Sequence, residues 1–145
     1  MSGNNVSNVF IVDCENIGAK ALEKVVKHID DLGSTQVVLF VSQNVSKGAV
    51  REMIVNVLSN TGISIKVERH SAIGKDALDK MIVTYLTLRI NEDYKFYIVS
   101  NDKGYLAATE FLAEKGYENA SLLRPSVVHE SGDADLLSSM RLGYA

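Results

Sequence analysis

Three aspartates stand just past an apolar run or on the first turn of the helix that follows one: Asp13 in NVFIVDCENIG, Asp79 in GKDALDKMIV and Asp102 in KFYIVSNDKGY. Carboxylates are hard oxygen donors, and several gathered in one place repel one another unless a divalent cation holds them together. A chain alternating strands and helices folds into a parallel sheet, whose ligands bind beyond the carboxyl ends of the strands. Acids far apart in sequence would meet at that edge. The pattern points to metal-dependent chemistry on phosphate esters.

The neighbours of each acid sharpen this reading. Asp13-Cys14-Glu15-Asn16 leaves an apolar run and enters a turn. Turn chemistry could explain an Asp or an Asn there, since both bond their own backbone. It accounts less well for two acids and an amide together. Asn16 is suited to hold the Asp13 carboxylate or to meet a substrate phosphate, and Glu15 is balanced between turn and ligand. In Ser100-Asn101-Asp102-Lys103-Gly104-Tyr105, Asp102 also suits a helix N-cap. Capping and metal ligation can share the two oxygens of one carboxylate. Ser100, Asn101 and Lys103 beside it are candidate substrate contacts, Lys103 for a phosphate.

Asp76 and Asp79 lie three apart, on one face of a helix's first turn. Asp76 is the better cap by position and a further candidate metal ligand. Asp79 points toward the strand ends if the stripe Ala77, Met81, Tyr85 and Leu88 faces the sheet. Arg69, His70 and Lys75 are expected in the loop before this helix, where Arg69 and Lys75 could grip a nucleic-acid backbone. Lys47 and Arg51 make a weaker pair in the loop after the second strand. The three histidines are scattered at 28, 70 and 129, which disfavours a histidine-based, metal-free reaction. Cys14 lacks the setting of a nucleophile and reads as a packed thiol.

The elements that must position these residues are legible. Strands are expected at Val9–Val12, Val37–Val41, Ile63–Val67, Phe96–Val99 and Ala120–Leu123. Helices are expected at Gly18–Asp31, at about Lys47–Asn60 with Ser46 as cap, at about Asp76–Ile90, and at about Tyr105–Lys115. Leu32-Gly33 should close the first helix. The continuous apolar runs VFIV, VVLFV and FYIV suit strands buried on both faces. Right-handed crossovers then give an α/β fold. It is a three-layer α/β/α Rossmann-like sandwich on a mainly parallel five-stranded sheet, order 3-2-1-4-5. After the only proline, Pro125, the pattern weakens, and residues 126–145 read as a loop and short helix on the edge.

Composition bounds the rest. The 145 residues suffice for a single domain with a real core. At 46% hydrophobic and 23% charged, the chain has ordinary globular usage. The net charge of −3 argues against a simple coating protein for nucleic acid, which is usually basic. It leaves room for a nuclease, whose metal ions offset its carboxylates. The single cysteine fits a reducing compartment, and no leader or membrane-length apolar run is visible. A cytoplasmic protein without membrane contact is expected.

The blocks VFIVDCEN, GKDALDKMIVTYL and FYIVSNDKGY together resemble the PIN-like nucleases, specifically their NYN-type branch, over about residues 8 to 115. The resemblance implies a magnesium- or manganese-dependent endoribonuclease acting on single-stranded or structured RNA, in a family whose domains often pair as homodimers. Carried over, Asp13 matches the acid of the first strand and Asn16 the amide of its Asp-x-x-Asn motif. Asp79 matches the acid of the third helix and Asp102 that of the Ser-x-Asp-x-Gly-Tyr block. Asp76 departs from the pattern, because close relatives often carry an amide there. The family's fourth acid has no clear counterpart; Glu15, Asp76, Asp133 and Asp135 compete for it.

Two readings from other classes stay open. One is a catalytically inactive PIN-like module that binds RNA or a protein through the same edge. The other is a phosphoaspartate protein, which IKVERH and Glu15 fit poorly. A receiver needs an acceptor Asp ending the third strand, and a haloacid-type phosphatase needs a second Asp at position 15.

Overall fold

Five short runs form strands, and all but the last, Ala-Ser-Leu-Leu, carry β-branched or aromatic residues. The computed structural model describes residues 7–27, 34–58, 63–71 and 76–125. In chain order the elements are β1 (Ser7–Asp13), α1 (Ala19–Val26), β2 (Thr35–Ser42), α2 (Lys47–Leu58), β3 (Ile63–His70), α3 (Ala77–Arg89), β4 (Tyr94–Val99), α4 (Tyr105–Glu114) and β5 (Ala120–Leu123). The five strands form one sheet in the order β3-β2-β1-β4-β5, and every pairing is parallel. This is the expected order.

Alternation along the strands divides the core in two. Phe10 and Val12 of β1 join Val37, Leu39, Val41 and Val99 against Leu22 and Val25 of α1 and Val50, Met53 and Val57 of α2. Val9 and Ile11 join Val38, Phe40, Phe96 and Ile98 against Leu78, Ile82 and Leu86 of α3 and Tyr105 and Leu112 of α4. The result is a three-layer sandwich with β1 at its centre.

The same alternation aims the polar residues that end the strands. Asp13 follows Val9 and Ile11 and so belongs to the α3/α4 face. Ser100 follows Phe96 and Ile98 onto that face, and Ser42 follows Val38 and Phe40. Cys14 takes the opposite side and packs in the α1/α2 core, where burial pushes its thiol up to about 12.

Several boundaries and one face differ from the sequence expectation. β3 runs on through His70, so Arg69 and His70 are strand residues rather than loop residues. As an edge strand it needs only one covered face, which tolerates its polar end. Lys47 and Arg51 lie on α2, not in the loop before it. The stripe Ala77, Met81, Tyr85, Leu88 is not the buried face of α3. Leu78, Ile82 and Leu86 are buried instead, and Leu88 is 79% exposed. Ser46 caps α2 as expected, its hydroxyl accepting the Ala49 N–H at 3.1 Å. The expected end of α1 near Asp31, the Leu32-Gly33 stop, Lys75 and residues 126–145 lie outside the described residues.

Candidate active site

Asp13 ends the central strand almost completely buried, at 3% exposure. A lone carboxylate there would be costly, so the chain surrounds it with donors. Its Oδ2 accepts from the Ser100 hydroxyl at 3.2 Å and the Tyr105 hydroxyl at 3.1 Å. Its Oδ1 accepts the Glu15 N–H at 3.2 Å. Burial still raises its pKa above the usual carboxylate value, against the opposing pull of Tyr105 and Ser100.

Asp79 sits on the first turn of α3, half-buried. The Tyr105 hydroxyl reaches its Oδ1 at 3.0 Å. Two acids 66 residues apart therefore converge on one oxygen. A phenol carries one proton and can donate to only one partner at a time. The arrangement accordingly concentrates negative charge around Tyr105, whose own ionisation is pushed up by burial and by both carboxylates. Burial raises the Asp79 pKa first, and the charges of Asp13, Asp102 and Asp76 add to it.

Asp102 is exposed and is not the N-cap of α4, a position held by Gly104. Its Oδ1 accepts the Gly104 N–H at 2.8 Å, closing an Asx turn within the β4–α4 loop. A Cβ on Gly104 would stand 3.1 Å from that oxygen, so glycine lets the carboxylate fold back over the backbone. Asp76 occupies the N-cap position of α3 without a side-chain capping bond, and its φ of 65° is left-handed. Non-glycine residues rarely adopt that conformation, and Asp is among the most tolerant. With Cys14, Glu15, Asn44, Val45, Ser46 and Ala49 it lines an open polar cleft of about 810 Å³ at the carboxyl edge of the sheet. Glu15 faces the same cleft, where its carboxylate accepts from the Ser42 hydroxyl and from Asn44 at 3.5 Å.

Asn16 does not hold the Asp13 carboxylate. Its side-chain oxygen accepts the Asn101 N–H at 2.7 Å, clamping the β4–α4 loop to the turn after β1. Ser100 is fully buried. It braces Asp13 and accepts the Asp102 N–H at 3.1 Å, so it faces the interior rather than a substrate. Lys103 is exposed next to Asp102, and Arg69 is exposed at the end of β3. Sequence reasoning gives Tyr105, Ser42 and Asn44 no role. A tyrosine opening a helix three residues after an acid is the signal that marks Tyr105.

Asn16→Ala is expected to loosen the loop carrying Asp102, lowering stability by about 1 kcal/mol. Asn16→Asp, which keeps the accepting oxygen, should restore it. Melting curves of the two variants check the clamp.

A parallel α/β sandwich with paired carboxylates beyond its central strand defines a Rossmann-like acid-site fold. More narrowly, a profile of the PIN domain family matches residues 7–122, and the chain belongs to that family. PIN domains are generally nucleases, which supports a nuclease-like role for the chain. No curated protein and no solved structure matched the chain.

PIN domains typically use divalent metals. The donors here suit such an ion in kind: oxygen ligands whose mutual repulsion and burial a cation would relieve. Among the described residues no three acid, histidine or cysteine side chains form a ready metal-binding group. Mg²⁺ is commonly held by one or two carboxylates with waters and substrate phosphates, and the Asp13–Asp79 pair meets that smaller requirement.

Proposed function

We propose that this chain is a Mg²⁺- or Mn²⁺-dependent endoribonuclease of the NYN-type branch, acting in the cytoplasm. The observation that carries the reading is the meeting of Asp13 and Asp79 on the Tyr105 hydroxyl at the carboxyl edge of the sheet. Asp13 is the rigid ligand, fixed by three donors. Asp79 is the second ligand, and Asp102 lends charge from the loop that Asn16 clamps. When bound, a divalent ion supplies the Lewis acidity that hydrolysis of an RNA phosphodiester requires. Lys103 and Arg69, both exposed, would meet backbone phosphates. Lys75 belongs to the same basic group by sequence. Asp13 and Asp79 must be ionised to act as ligands, and both resist ionisation. Metal loading should therefore weaken as the solution is acidified.

The test is cleavage of internally labelled single-stranded RNA with Mn²⁺ or Mg²⁺, by the native chain and by Asp13→Asn. Internal cuts that stop with EDTA and with the variant are the expected result. Titration with metal should also raise the melting temperature of the native chain, because an ion that binds only the folded state stabilises it by mass action. RNA binding without turnover, indifferent to metal, would instead identify a non-cleaving PIN module. The lack of a ready three-residue metal group among the described residues is what keeps that second reading in view.

A further inference from the structure

Helix α3 carries two apolar rows, of which one is fully buried and the other only partly covered. Leu78, Ile82 and Leu86 are buried, while the row through Met81, Tyr85 and Leu88 looks into a cavity of about 480 Å³, which also reaches Phe40, Glu68, His70, Lys80 and Thr84. That size lies within the ~300–1,000 Å³ of ordinary ligand clefts. The cause is topological. α3 packs against β1 and β2, while β3 lies beyond them as the edge strand.

The groove has the make-up of a base-binding site. His70 stacks on buried Phe40 with ring centres 5.8 Å apart and planes at 21°, and its side chain remains 35% exposed. Tyr85 meets Phe40 edge-on at 5.1 Å, with the Lys66 ammonium 5.7 Å above its own ring. Glu68 is held between Lys66 at 2.9 Å and His70 at 3.5 Å. A carboxylate has about four lone-pair sites, so Glu68 can accept further bonds. Lys80, on the groove wall, directly follows Asp79 in sequence.

We propose that this groove takes an unpaired nucleobase of the RNA strand, beside the phosphodiester held at the acids. The base stacks on the exposed face of His70 among apolar side chains, and Glu68 accepts from its exocyclic amino group. Adenine, cytosine and guanine have that group and uracil lacks it, so the site disfavours uracil. Lys66 and Lys80 flank the groove with the charge that the strand's phosphates need. The inference rests on the endoribonuclease reading and adds the specificity of the same site. Flat aromatic stacking surfaces are how proteins hold splayed-out RNA bases. A strand is also the ligand that would span both the groove and the acids.

Labelled short homopolymers of adenylate, cytidylate and uridylate, titrated in EDTA and followed by fluorescence anisotropy, test the site. The native chain should bind adenylate and cytidylate more tightly than uridylate. His70→Ala, and Thr84→Glu on the exposed wall, should each weaken binding of the preferred strands roughly tenfold. Glu68→Ala should remove the preference while leaving uridylate affinity in place. In cleavage assays with Mn²⁺ the groove variants should raise KM and keep kcat, whereas Asp79→Asn loses kcat. A native enzyme that cleaves RNA, with His70→Ala, Thr84→Glu and Glu68→Ala all indistinguishable from it on every homopolymer, would overturn the base site alone and leave the groove to a protein partner. A native chain that neither binds nor cleaves any of them would overturn the base site together with the nuclease reading.

Discussion

Asp79→Asn is expected to lower cleavage more than ~100-fold while making the metal-free protein more stable. The two outcomes share one cause. Asp79 is a half-buried carboxylate beside the charges of Asp13, Asp102 and Asp76, and without a cation its ionised form is unfavourable. The amide keeps an oxygen for the Tyr105 hydroxyl and removes the charge. Allowing for solvent screening at this partly exposed position, the gain is about 1 kcal/mol, or roughly 2–4 °C in Tm for a chain of this size. The metal-induced rise in Tm should shrink or vanish. Calorimetry with and without Mn²⁺, beside a cleavage assay, reads all three effects. Unaltered cleavage by the variant would remove Asp79 from the site.

The pH dependence has a definite sign. The folded carboxyls of Asp13 and Asp79 hold their protons more tightly than ordinary ones, whose pKa is 3.8. Their stabilising contribution is complete below that ordinary value and is lost as pH rises through the raised folded values. The native metal-free chain should therefore lose this contribution as pH rises from the ordinary carboxyl value of 3.8 through the raised folded values. Asp79→Asn should lose less of it. Saturating Mn²⁺ should restore stability at the neutral end.

Tyr105→Phe is the second substitution with a large expected effect, in the opposite direction for stability. It deletes one oxygen from a residue that is 2% exposed and keeps the ring that packs with the α3/α4 core. Asp13 and Asp79 would then face each other without their shared donor. Leaving buried acceptors short of a partner costs ~1–3 kcal/mol, so the metal-free Tm should fall by several degrees. Mn²⁺ should recover much of the loss, because the cation neutralises the same two charges. A melting temperature unchanged in EDTA would show that the hydroxyl does not hold the pair together.

The fold is largely readable because its three inner strands are apolar on both faces. VFIV, VVLFV and FYIV leave little choice except burial, and alternation with helices then dictates the parallel order seen in the sheet. Asp13 and Asp79 are visible as acids placed at strand and helix ends. The partners that bring them together are not, since Tyr105 reaches Asp13 across 92 positions of sequence. The buried face of α3 escapes the sequence because Ala77, Met81, Tyr85 and Leu88 look as apolar as Leu78, Ile82 and Leu86, and periodicity cannot rank two adjacent apolar rows. β3 reads too short because its end, Glu68-Arg69-His70, is polar, although an edge strand admits such residues. Asn16 stands out by its type and place, but the backbone N–H it accepts belongs to a loop that sequence could not set beside it.

The pleat of β1 makes the acid site sensitive to the parity of the chain. Asp13 reaches α3 and α4 because it stands two and four positions after Ile11 and Val9, while Phe10, Val12 and Cys14 count to the other side. Deleting one residue inside the strand would leave it as apolar as before, yet every side chain beyond the deletion would exchange faces. Cys14 would then stand where Tyr105 expects a carboxylate, and Asp13 would enter the layer beneath α1 and α2. Single-residue insertions and deletions within β1 should therefore be far more damaging than changes of equal length in the turns at its ends, and natural length variation in this lineage should collect in the loops.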